Sequence, residues 1–290
     1  MRLLISADFL FHSAVVVLTL SACTPRRTQT TGTDPQPTLQ PARSSEVESW
    51  TPQITSGTRK YLLSDSSVIS ISDTTNRVVP IETTMYYSLA IGPIGDSFSI
   101  LGIVDSSTVD SQLRTKPQKR DSTNFDEIQG VITKQGHLQL ESREQSNSCS
   151  SSSASTTSRI YELVIPYPKE QLSIGDKWSD TVSSTNCHGR TPLTQQIIRE
   201  FQVKQFTTWH EHNAVEVQRQ SNISFSGSSS EPNTHLQANG FGSGSATLLM
   251  DRTTAVLLES NSQTKSTLTI VTSRGAFPFS QSTSTHITIQ

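Results

Sequence analysis

Between Val215 and Ser226 the chain alternates without a break. Val215, Val217, Arg219, Ser221, Ile223 and Phe225 fall on one face, and Glu216, Gln218, Gln220, Asn222, Ser224 and Ser226 on the other. A period of two sustained this long fits an extended strand with one face packed and one face wet. Such a strand belongs in an antiparallel sheet, because strands of parallel sheets are buried on both faces. Ile197 to Phe206, through Phe201 and Val203, reads as its partner, with Thr207 to Asn213 as the turn. A helix over Gln195 to Gln205 is the alternative, since Ile197, Ile198, Phe201 and Gln205 also fit helical spacing.

The pattern recurs from about Thr51. Ser67 to Ser72 alternates through Val68-Ile69 and Ile71. Thr83 to Ile91 carries Met85, Tyr86, Tyr87 and Leu89. Gly92-Pro93 and Gly95-Asp96 mark a turn, and Phe98, Ile100, Leu101, Ile103 and Val104 follow, a hairpin signal. Ser245 to Met250, Ala255 to Glu259, Thr267 to Thr272 and His286 to Gln290 are further candidate strands. No window offers a long amphipathic helix. Hydrophobic residues make up 32% and charged residues 17%, and Ser and Thr are about three in ten. With a net charge of only −2 this is not the composition of a disordered chain. It suits a sheet with a wet face, where Thr is favoured and Ser tolerated. The expected fold is mainly β: an antiparallel sandwich, an open barrel or a curved sheet. Residues 51–290 form it, as one unit or as halves of about 55–140 and 159–290 joined by the Ser-rich stretch Ser142 to Ser158.

The near-balance of charge removes any drive toward nucleic acid, which needs a basic surface. His210-Glu211-His212 would place two imidazoles on one face of a strand, but it falls in the expected turn and no third ligand is identifiable. A solvated turn is the preferred reading, and no metal or other cofactor is expected. Gly240, Gly242 and Gly244 lack the spacing and the Lys of a phosphate loop. They permit a bend, a bulge or close approach by a neighbouring chain or ligand, and a bend or bulge is preferred. Ser262-Gln263-Thr264-Lys265 matches a penicillin-enzyme motif in letters alone, without the helix or the accompanying motifs that chemistry needs. Cys149 and Cys187 are read as a disulfide, as an oxidising compartment favours, worth about 4 kcal/mol. Asp176 and Asp180 are read as turn and surface residues. No nucleophile and base can be paired, so the chain is not expected to be an enzyme.

The N-terminus carries an address. Met1-Arg2 is a short positive start, and Phe9 to Leu20 is mostly apolar, with Asp8 and His12 as early interruptions and Val15 to Leu20 the uninterrupted part. A run of about 7–15 apolar residues before small residues has the form of an export signal. It is too short to span a bilayer stably, which takes about 20 residues. Leu20-Ser21-Ala22-Cys23 resembles the lipobox of bacterial lipoproteins. The resemblance covers residues 1–23 and implies acylation of Cys23 and cleavage between Ala22 and Cys23. Residues 1–22 are then a signal peptide, and 23–50 a lipidated cysteine and disordered linker, rich in Thr and Pro, reaching about 25–30 Å. Thr24 in place of Asp after the cysteine implies the outer membrane if the cell is Gram-negative, otherwise the outer face of the plasma membrane.

Ile165-Pro166-Tyr167-Pro168 followed by Ile174-Gly175-Asp176-Lys177-Trp178 places a turn at Gly175-Asp176 and a core anchor at Trp178. This Gly-Asp-x-Trp turn resembles that of uncharacterised sheet-rich envelope lipoproteins, and the layout of anchor, tether and sheet loosely resembles lipid-carrier lipoproteins. The functional expectation is a membrane-anchored envelope lipoprotein acting as a non-catalytic binding or structural module, with a protein partner or a hydrophobic ligand; a lipid carrier and an envelope hydrolase are the alternatives. A lipid carrier would need an apolar cavity of at least about 300 Å³. An envelope hydrolase would need a nucleophile and base in contact.

Overall fold

The computed structural model describes residues 48–71, 77–111, 118–121, 127–140, 154–168, 171–188, 191–231, 234–273 and 275–290. A short β1 (Ser49–Trp50) precedes the long β2 (Gly57–Ile71), β3 (Arg77–Ile94) and β4 (Ser97–Ser111). Then come β5 (Gln118–Asp121), β6 (Ile128–Thr133), β7 (Leu138–Leu140) and a helix, α1 (Ala154–Leu163). β8 (Leu172–Ser173), β9 (Lys177–His188), β10 (Thr191–Trp209), β11 (His212–Glu231), β12 (Thr234–Asp251), β13 (Leu257–Thr272) and β14 (Gly275–Ile289) complete the chain.

Twelve strands form one antiparallel sheet in the order β7-β6-β4-β3-β2-β14-β13-β12-β11-β10-β9, with β5 beside β4; β1 and β8 pair separately. From β9 to β14 each strand pairs with the next, and β14 returns to lie against β2, Ile289 opposite Tyr61. The strands of residues 55–140 and 159–290 thus share one sheet. Helix α1 packs on both β4 and β9, near opposite ends of the strand order, so the sheet must wrap around it. The result is an open, strongly curved sheet, a curled half-barrel, one of the arrangements the alternation implies.

The curl has a local cause. Gly240, Gly242 and Gly244 face the inside of β12, and a Cβ at these positions would lie 2.3 Å from Thr267 O, 2.7 Å from Lys265 O and 2.0 Å from Thr264 Cγ2. No bulge falls there: pairing with β11 and β13 runs unbroken through all three, and β12 shifts register only between Leu249 and Met250. Of the bend or bulge expected from the glycines, the bulge is absent; what they permit is close approach by the neighbouring strand, possible only without a side chain.

One end of the curl is filled by an apolar core. Tyr61, Leu63, Tyr87 and Leu89 pack with Ile160 and Leu163 of α1 and with Phe201, Val217 and Leu248. Trp50 meets Tyr167 edge-on at 5.2 Å, and Trp178 stacks on Phe201 at 5.3 Å. The Trp178 indole donates to the Pro166 carbonyl at 2.7 Å, which makes it the core anchor its position after the turn implies. Gly175 has φ +96°, and the Asp176 carboxylate accepts from the Ser173 amide at 2.8 Å.

Three further expectations change. The folded part takes in Glu48 to Trp50, since Trp50 is buried in the core. The turn between β10 and β11 is His210-Glu211 alone, and the strands run on through Thr207–Trp209 and His212-Asn213. Asp180 is not a surface residue: it faces the interior, beside Arg199. Residues 1–47, with Ala22 and Cys23, lie outside the described residues, as do Cys149 and 142–153. Cys187 sits in β9 opposite Pro192, and its side chain is not among those described.

Candidate functional site

The concave face changes character along the strands. Just beyond the apolar end lies a layer of charge. Arg159 on α1 donates to the Asp65 carboxylate of β2. Arg199 on β10 donates from Nε to Asp180 Oδ1 at 2.8 Å, from Nη2 to Asp180 Oδ2, and from Nη1 to the Tyr161 carbonyl at the end of α1. Arg219 Nη1 on β11 lies 2.7 Å from Glu162 Oε2. Three guanidiniums thus balance three carboxylates, with Arg159, Arg199 and Arg219 all buried. Burial by itself would raise the Glu162 carboxyl, but Arg219, Arg199 and Arg159 together outweigh it and hold it below its ordinary range.

These pairs fix the helix in place more than they stabilise the fold. Taking charge out of water costs several kcal/mol per ion, which the attraction only offsets when geometry is good. The Arg199–Asp180 fork meets that condition, and the guanidinium at the Tyr161 carbonyl also answers the negative end of the helix. Arg219 Nε and Gln195 Nε2 are buried without a hydrogen-bond partner. Between Gln195 and Arg199 is a cavity of about 20 Å³, also lined by Glu162 and Ser184. That is room for a water or two.

Past this layer the concave face turns apolar. One row runs Gln195, Phe225, Gly240, Leu268, Phe279 across β10 to β14, each opposite the next. The row beyond it runs Leu193, Gly227, Ala238, Ile270, Phe277. Phe225, Leu268, Ile270, Phe277 and Phe279 are only half-buried, although they point inward. Phe279 continues onto a buried cluster of Ile69, Ile71, Val79 and Ile81 on β2 and β3. The apolar surface is therefore an open trough. Two small cavities lined by described residues, of about 20 and 30 Å³, lie beside the helix and at the apolar end, and neither is large enough to enclose a carrier's ligand.

The motifs singled out in the sequence fall elsewhere. His210 and Glu211 form the exposed turn of the β10–β11 hairpin, and His212 Nδ1 is 3.9 Å from Asp251 Oδ2. The His210 ring lies edge-on to Trp209 at 4.4 Å. Among the described residues no group of three or more His, Cys, Asp or Glu is placed to hold a metal. Ser262 is buried on the concave side, whereas Lys265 is exposed on the other, so the two cannot act as a pair. The charged layer was not anticipated as a site. Its signal was Arg219, the one charge on the mostly apolar face of β11 from Val215 to Phe225, where a charge needs a buried partner.

No family model and no curated protein matches the chain. Among solved structures, a Bacteroides fragilis protein described as exported, with a YmcC-like fold, aligns at 6% identity over 83% of this chain and 99% of that one, TM-score 0.28. Pseudomonas aeruginosa OccK5 (OpdH) aligns at 5% identity over 80% of this chain and 98% of that one, TM-score 0.26. At these TM-scores the likenesses carry no argument.

Proposed function

We propose that this is a lipid-anchored protein of the cell envelope whose curled sheet is a non-catalytic binding module, working through its concave face. The anchor rests on the sequence: Leu20-Ser21-Ala22-Cys23, which resembles a lipobox, behind a short apolar run. Acyl chains on Cys23 would hold it, at about 0.8 kcal/mol per buried methylene, with two or more chains for lasting attachment. The binding role rests on one observation. Two rows of inward-facing apolar side chains, Phe225, Leu268, Ile270, Phe277 and Phe279 among them, are left half-exposed where a filled core would bury them.

Two measurements test the two parts. Mass spectrometry of protein extracted from membranes should find an N-terminal peptide beginning at acylated Cys23, and Cys23→Ser should release the protein from the membrane fraction. An unlipidated mature start elsewhere would remove the anchor. For the module, an environment-sensitive apolar dye should bind the full chain and lose affinity about tenfold or more in Leu268→Asp. Equal dye binding by both proteins would mean that the trough is not the binding surface.

A further inference from the structure

Resting on the binding role above, we infer that the trough takes a single acyl chain joined to its carrier through a neutral carbonyl, an ester or amide, with that carbonyl at Gln195. The row of residues across β10 to β14 sets the size of the ligand. Gln195 stands at one end of it, and Phe225, Gly240, Leu268 and Phe279 follow across four more strands. At about 4.8 Å between strands, the row measures about 19 Å along the curve. A long acyl chain can lie across it, against apolar side chains from Phe225 to Phe279, with Phe279 leading onto the cluster of Ile69 and Val79.

The head of the ligand follows from the polar end. Gln195 is 4% exposed, and its Nε2 has no hydrogen-bond partner. A buried amide N–H left unpaired costs about 1–3 kcal/mol, so the site asks for an acceptor. The cavity at Gln195 gives that acceptor a place to enter. Its charge is constrained by the neighbouring layer. Arg159, Arg199 and Arg219 are already balanced by Asp65, Asp180 and Glu162, so no surplus positive charge is left to neutralise an ionised head. A free fatty acid would bring an unpaired negative charge beside Glu162, whereas an ester or amide carbonyl brings only the acceptor.

Ligands of one chain length separate these features. The full chain carrying Cys23→Ser, so that its own anchor does not compete, would be titrated with a fluorescent alkyl probe. The probe would then be displaced by a fatty acid methyl ester, by the free fatty acid and by the alkane. The ester is expected to displace it about five- to tenfold better than either of the others. Gln195→Leu should abolish the advantage over the alkane and leave chain affinity intact, with circular dichroism confirming the fold. If the free acid wins, or if Gln195→Leu changes nothing, the carbonyl assignment is overturned while the binding role stands. If the probe does not bind, or if Leu268→Asp does not weaken it, the binding role itself fails.

Discussion

Gly102 lies opposite Leu89, diagonal to Tyr87 on the adjacent strand, and the Tyr87 ring fills the space a side chain at 102 would need. A Cβ at position 102 would lie 1.9 Å from Tyr87 Oη and 2.7 Å from Ile160 Cδ1. The phenol is buried, its hydroxyl has no partner, and burial pushes its pKa far up. Gly102→Ala should therefore destabilise the protein by about 1–3 kcal/mol, read as a lower urea midpoint. Tyr87→Phe removes a hydroxyl that makes no hydrogen bond, and its midpoint should be unchanged or higher. Glu162 gives the pH dependence. Its folded pKa is held below the unfolded value of about 4.3, so its contribution is present above that pH and lost as pH falls through the folded value. Unfolding free energy should drop below about pH 4.3, and Glu162→Gln should show a shallower drop. At neutral pH the same variant strands Arg219 and should cost about 3 kcal/mol.

At the scale of elements, α1 and the β10–β11 turn show two ways in which local preference is overruled. The helical segment, Ala-Ser-Thr-Thr-Ser-Arg-Ile-Tyr-Glu-Leu, has weak intrinsic propensity and no basic residue in its last turn. It holds because Ile160 is fully buried and because Arg159 and Glu162 reach partners on β2 and β11. Ile160→Ala should cost about 2–4 kcal/mol in denaturant unfolding. The turn is strained in the opposite sense. His210 at φ 42° and Glu211 at φ 73° both occupy left-handed backbone, where a two-residue hairpin prefers Asn-Gly. Replacing the pair by Asn-Gly should raise stability by about 1 kcal/mol, seen as a higher melting temperature; a lower one would mean that the His210–Trp209 contact outweighs the backbone strain.

For the whole molecule, the return of β14 to β2 decides cooperativity. One sheet joins both stretches of the sequence, with one core at its closed end. Far-ultraviolet circular dichroism and tryptophan fluorescence should then report a single, coincident unfolding transition. Two separated transitions would mean that residues 55–140 and 159–290 behave as independent halves. Pairing strands so far apart in sequence should also make refolding slow, on the order of milliseconds to seconds.

The sequence by itself determined the sheet. Alternation marked β11 and its faces, Gly95-Asp96 placed the β3–β4 turn, and Trp178 was legible as an anchor because the Gly175 turn precedes it. Local pattern carries that information, since side chains alternate across a strand whatever it pairs with. Only the tertiary structure decided the rest. Ser260 to Ser266 and the Ser280 to Thr285 stretch of β14 are too polar to read as strand, yet they complete the sheet because their inward hydroxyls face a polar band. Ser67 and Thr283, for example, meet at 2.7 Å. Helix α1 was missed because its partners, Asp65, Arg199 and Arg219, lie far from it in the chain. The trough was missed for the same reason: Gln195, Phe225, Gly240, Leu268 and Phe279 are unremarkable one by one. They become a surface only when five strands curl and set them in one row.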